Sequence, residues 1–184
     1  MPRAQNDTKA EIRAVALDFF GQKGYEKTSL REIAERLDIT KAALYYHFPS
    51  KKDLLRALID PLRDDTEEML EWIEGGSVED PREILGGYFD LCVRHSTLLL
   101  ALLNDMGALA EMGFVESVIA WRQRLDRALV GPEPATPAKM GAVTALGGIQ
   151  DIAVMLPPEE CAAHRAAAVE IALSALKAGM ADKD

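Results

Sequence analysis

The chain has 184 residues, 48% hydrophobic and 28% charged, with a net charge of −9; that length allows one sizeable core, or a small domain beside a medium one. No apolar run approaches the ~20 residues that span a bilayer, and the N-terminus lacks the apolar core of a signal peptide; neither membrane insertion nor export is expected, and the cytosol is. Two cysteines, Cys92 and Cys161, do not make a disulfide framework.

Almost every segment has helical periodicity and none shows sustained alternation of strand type, so the fold class is all-α. Residues 1–6 form a loose arm. A first helix carries the stripe Ile12, Val15, Ala16, Phe19 and Phe20 and stops near Gly24. Ser29-Leu-Arg-Glu32 is a capping box opening a second helix, with Leu30, Ile33, Ala34 and Leu37 inward. A turn at Asp38-Ile39 precedes Thr40, the N-cap of a short helix over about 41–47. Pro49 ends that helix, and Ser50 caps a fourth. In the fourth helix Pro61 is expected to kink or break the path, leaving a second stretch over about 62–74.

Asp80-Pro81 starts a further helix bearing Ile84, Leu85, Tyr88, Phe89, Leu91 and Cys92. The run 98–103 is apolar nearly all round and is expected to be buried. A longer helix follows over about 114–130. The run 131–137, with three prolines, is the clearest loop. Two last helices are expected over about 137–155 and 158–180, separated by Pro157-Pro158. The domain boundary falls on the fourth helix, giving domains 7–60 and 61–184. Charge follows this division: residues 1–60 hold 11 Lys+Arg and 9 Asp+Glu, whereas residues 61–184 hold 10 and 21. Acidity therefore concentrates in the C-terminal part, and the N-terminal cations are free to act as a local patch.

Residues 29–48 read as helix, tight turn, helix, the arrangement that presents a recognition helix to the DNA major groove. Leu44 and Phe48 face inward. Lys41, Ala42, Tyr45 and Tyr46 are left outward or sideways. Lys41 can donate to guanine O6 and N7, and Ala42 can touch a thymine methyl. Arg31 can reach a base or a phosphate. Ser29, Tyr46, His47 and Lys51 suit phosphate contacts, helped by the partial positive charge at the start of the fourth helix.

Residues 7–60 resemble the DNA-binding domain of the TetR family of bacterial transcriptional regulators. The likeness rests on Phe19-Phe20-Gly21-Gln22-Lys23-Gly24-Tyr25, on Thr28 to Ala34, on Leu44 to Lys51, and on Leu54-Leu55. It covers about a third of the chain. The resemblance implies about nine helices, a homodimer whose last two helices form a four-helix bundle across a two-fold axis, and a C-terminal domain for ligand binding and dimerisation. It implies a helix-turn-helix repressor of double-stranded DNA, not an enzyme. DNA contacts carry over to Ser29, Arg31, Lys41, Ala42, Tyr45, Tyr46, His47 and Lys51. One departure is Asp38, where the family usually has glycine in the turn; Asp tolerates positive φ better than most residues.

The C-terminal part has no motif of comparable specificity. The candidate lining of an effector pocket is Tyr88, Phe89, Cys92, Met106, Met112, Phe114, Trp121, Gln150 and Met155, a mixed aromatic and Met set suited to an adaptable apolar site; ordinary core packing is the alternative. Gly141, Ala142, Ala145, Gly147, Gly148 and Ala153, with Ala166, Ala167, Ala168, Ala172, Ala175 and Ala178, permit close helix approach and are the candidate dimer face. Cys92/His95 and Cys161/His164 each stand three residues apart, so together they compose a possible Cys₂His₂ zinc set or thiol switch. Against these, both cysteines also suit plain burial, and no cofactor is required. The chain has neither a phosphate-binding glycine loop nor a nucleophile motif.

Overall fold

The computed structural model describes residues 5–76, 78–103 and 113–181. Among these, ten helices form and no strand: α1 (Gln5–Lys23), α2 (Leu30–Arg36), α3 (Lys41–His47), α4 (Lys51–Glu74), α5 (Pro81–Arg94), α6 (Ser96–Leu103), α7 (Phe114–Val130), α8 (Thr136–Met155), α9 (Pro158–Ala163) and α10 (Arg165–Met180). Two compact units result, Met1–Arg63 with Thr97–Phe114, and Asp64–Ser96 with Val115–Asp184. The division between Arg63 and Asp64 lies inside α4, which contributes residues to both.

In the first unit α1 buries Ile12, Ala16 and Phe20. Gly24, at φ +86°, ends the helix, and its N–H reaches Phe20 O at 3.0 Å; only glycine adopts this conformation at no steric cost. Gly21 faces Ala101 of α6 at van der Waals distance. α2 buries Leu30, Ile33 and Ala34, and α3 buries Leu44 with Phe48 just beyond it. Between them Asp38 holds φ +52°, and no other non-glycine among the described residues has positive φ. The turn closes through Ile39 N–H to Ala34 O at 3.1 Å. Thr40 Oγ1 then accepts the Ala43 N–H at 3.1 Å, starting α3.

Three expectations are corrected. α4 is one 24-residue helix running through Pro61. The helix therefore does not break: the ring removes the bond to the Ala57 carbonyl, yet the helix continues with Leu58, Ile59 and Leu62 buried on either side. In α6, Leu98, Ala101 and Leu102 are buried but Leu100 is exposed, however apolar the sequence of the helix. The last helix is divided at His164, whose φ −115° and ψ 16° leave the helical range. Next to the break, Arg165 Nε and Nη2 bind the Asp90 carboxylate at 2.6 and 2.7 Å, anchoring the start of α10 on α5.

The core of the second unit is α5, α8 and α10. α8 and α10 meet at glycine: a Cβ on Gly141 would stand 2.9 Å from Leu176 O, and one on Gly179 would stand 2.9 Å from Gly141 Cα. The outer side of the same helix pair is apolar and uncovered within the chain. Val143 is 49% and Ile171 65% exposed, with Met140, Gly148 and Ala167 also exposed. Elsewhere Glu67 of α4 accepts from Trp121 Nε1 at 2.5 Å and Arg124 Nη1 at 2.6 Å, tying α7 to α4.

Candidate nucleic-acid interface

The interface is built from the start of α2, all of α3 and the start of α4. Ser29 caps α2 in both directions: its Oγ accepts the Glu32 N–H at 3.2 Å, while its own N–H donates to Glu32 Oε2 at 2.9 Å. Lys23 Nζ, from the end of α1, reaches the same carboxylate at 2.5 Å. That Lys23 bond, then the Ser29 N–H and the Ser29 Oγ–H, which also donates to Glu32 Oε2 at 2.9 Å, hold the Glu32 carboxyl down at about 2. A depressed folded-state value gives stability that is complete above the ordinary carboxylate range and is lost as pH falls through the folded value. Glu32→Gln is therefore expected to lower the melting temperature at pH 7 and to flatten its decline on acidification; parallel pH–melting curves for parent and variant would contradict this.

Ser29, Arg31, Lys41, Tyr45 and Lys51 line one shallow hollow of about 500 Å³, together with Glu26, Pro49 and Ser50. Three cations thus share one concave surface with two hydroxyl-bearing side chains from the predicted set. Such a surface suits a phosphate backbone, whose oxygens accept from Arg, Lys, Ser and Tyr. Ala42, Tyr46 and His47 stand outside this hollow. Ala42 is exposed and Tyr46 is 73% exposed. The rings of Tyr46 and His47 meet edge to face at 5.4 Å. Exposure of Lys41, Ala42, Tyr45 and Tyr46 on a helix that buries Leu44 is the two-sidedness a groove-reading helix needs.

Two of the cations stand beside aromatic rings, and one of them is also held by hydrogen bonds. Lys41 Nζ stands 5.5 Å from the centre of the Tyr45 ring. Lys51 Nζ donates to Tyr25 O at 2.9 Å and Glu26 O at 3.2 Å, and lies 4.2 Å from the Tyr25 ring centre. Lys51 therefore also joins α4 to the α1–α2 loop, a role absent from the sequence reading. The signal for it was weak, because the partners are backbone carbonyls 25 and 26 residues away.

In the second unit Tyr88, Phe89, Cys92 and Trp121 are buried, and Tyr88 Oη donates to Gln150 Oε1 at 3.3 Å. Burial raises the Tyr88 phenol far above its usual range and pushes the neighbouring Cys92 thiol up to about 12. Phe114 is buried but belongs to the first unit. Met155 is 79% exposed and does not join the others. Met106 and Met112 lie outside the described residues.

The Cys₂His₂ set does not assemble. His95 Nε2 is 2.8 Å from Asp65 Oδ2, turned toward α4, and Cys92 lies next to Tyr88. Cys161 is buried against the carbonyls of Ile152 and Leu156, at 3.7 and 3.8 Å. His164 is exposed at the α9–α10 break. Among the described residues no group of three or more His, Cys, Asp or Glu side chains could hold a metal ion. The spacing placed each pair on one helix, but the two helices present their pairs to different surroundings. Both thiols have raised pKa values from burial, which also opposes thiolate chemistry. No described helix is long and apolar enough to cross a membrane.

Comparison with known proteins bears on this surface. Residues 12–58 match the family model described as bacterial regulatory proteins, tetR family. The HTH-type transcriptional regulator TtgR of Pseudomonas putida is 33% identical over 100 residues, 54% of this chain and 43% of that protein. The icaADBC biofilm-operon negative transcriptional regulator IcaR of Staphylococcus aureus (strain Newman) is 51% identical over 46 residues, 25% of each chain. The matched stretch thus spans less than half the length of these curated relatives. Over the whole length, a TetR-like transcriptional regulator from Rhodococcus sp. RHA1 has a similar structure, with a TM-score of 0.68 at 25% identity and full coverage of both chains.

Proposed function

We propose that the chain, whose residues 12–58 match the family model described as bacterial regulatory proteins, tetR family, is a transcriptional repressor of that family. In this reading it binds a near-palindromic operator as a homodimer and is released by a small-molecule effector. The observation that carries the reading is the hollow that brings Arg31, Lys41 and Lys51 together beside the exposed face of α3. Two copies of α3 would enter successive major grooves about one helical turn apart. Phosphate contacts would come from Ser29, Tyr46, His47 and Lys51, and base contacts from Arg31, Lys41, Ala42 and Tyr45. The named activity of IcaR as a negative regulator supports repression.

The dimer is assigned to the outer face of α8 and α10, where exposed Val143 and Ile171 accompany small residues. Ile171→Glu is expected to give a monomer by sedimentation with the helical content unchanged, and to lose tight operator binding. An unchanged dimer would move the interface elsewhere. The effector is assigned to the second unit near the hydrogen-bonded pair Tyr88 and Gln150, with Arg122 and Asp126 close by; such polar groups suit orientation of a small organic molecule. Its effect on DNA requires unequal affinity for two conformers, typically worth about 1–3 kcal/mol. α4 is the continuous element through which such a difference would pass.

The test is fluorescence anisotropy of the full chain on labelled DNA from upstream of its own gene, over a salt series. Binding that exceeds that to random DNA and weakens steeply with salt supports the reading. Equal affinity for both, followed by no enrichment from a random DNA library, sinks it.

A further inference from the structure

Arg31 lies on α2 at the edge of the hollow, and only one of its donor positions is engaged: Nε donates to Glu35 Oε1 at 2.7 Å, one turn along the helix. Among the described residues neither terminal nitrogen of Arg31 makes a hydrogen bond. Glu32 is taken by Ser29 and Lys23, and Glu26 lines the same hollow. We propose that Glu35 is a positioning residue for Arg31, and so determines base specificity without touching DNA.

The guanidinium is a planar fork, and guanine offers O6 and N7 as a matched pair of acceptors. Holding Nε from behind restrains the long side chain and leaves the two terminal nitrogens as the free prongs. A free arginine loses rotamer freedom when it docks; one already restrained loses less. Glu35 also places a negative charge near the phosphates. That charge weakens contact with any DNA, whereas the restraint favours only sequences with guanine at the position Arg31 reads. The two effects therefore separate in experiment. The inference rests on the operator-binding reading proposed above.

An exposed pair of this kind contributes modestly. The expected effect is a roughly two- to fivefold loss of preference per half-site, about four- to twenty-five-fold for two half-sites. The test selects preferred duplexes from a random library with the full-length protein, then measures the ratio of affinities for guanine-bearing and guanine-replaced sites. Glu35→Ala should lower that ratio. Glu35→Gln should preserve it, because the amide oxygen still accepts from Nε, while both variants bind random DNA more tightly. In an Arg31→Ala background, Glu35→Ala and Glu35→Gln should give the same ratio. Equal ratios for parent, Glu35→Ala and Glu35→Gln, in a protein that selects a defined sequence, would overturn the positioning role alone. A parent protein that selects no sequence would overturn the operator reading, and the positioning role with it.

Discussion

Lys41→Ala is expected to weaken operator binding by roughly 30-fold to 10⁴-fold, leaving the melting temperature within about 2 °C of the parent. A good base contact contributes ~1–3 kcal/mol, and a symmetric dimer carries two copies. Lys41 is exposed at the first turn of α3, so its removal disturbs no packing. The ammonium stands over the Tyr45 ring, 5.5 Å from its centre. Tyr45→Ala should therefore lose affinity in a way that is not additive with Lys41→Ala. Full additivity in a double-mutant cycle on the selected operator would show the ring and the ammonium acting separately. Parent-like affinity in Lys41→Ala would remove α3 from the role of reader.

The second large effect concerns packing. Gly179→Ala is expected to destabilise the second unit by about 1–3 kcal/mol, and so to lower the melting temperature by roughly 3–10 °C. The added methyl would collide with backbone, the Pro137 carbonyl and Gly141 Cα. Backbone cannot rotate away as a side-chain end can, so α8 and α10 would have to separate. Gly148→Ala supplies the control. Nothing lies within 4 Å of a Cβ at that position, and alanine favours the helix over glycine by about 0.5–1 kcal/mol. The parent packing should survive there, and sedimentation should read any effect on self-association. An equal fall in melting temperature for the two variants would mean that close approach at Gly179 is not what limits the pair.

The parts of this fold legible in the sequence are those set by neighbours a few residues apart. The capping box needs only Ser29 and Glu32, the α3 N-cap only Thr40 and Ala43. The turn at Asp38 was readable because a tight corner demands positive φ, and Asp is among the residues that tolerate it. What escaped depends on partners far along the chain. Pro61 looked like a break because local chemistry removes one hydrogen bond; the apolar residues around it are buried all the same. The division at His164 lies beside the Arg165–Asp90 pair, formed across 75 residues. Lys51 was readable as a cation near DNA but not as a clamp on the α1–α2 loop. The Cys and His pairs have a ligand-like spacing on each helix, and only the packing directs His95 toward Asp65 and Cys92 toward Tyr88.

The sharing of α4 between the two units limits how this protein can be recombined. A chimera that joins a foreign sensor at the loop after α3 would discard Lys51 and its hold on Tyr25 and Glu26, together with buried Leu54, Leu55, Leu58, Ile59 and Leu62. The portable piece must extend at least to Arg63, where the contacts divide. Even then it is not a single stretch of chain, because Ala101 of α6 faces Gly21 in the same unit. A graft must bring its own helix to that face, shaped to meet a glycine.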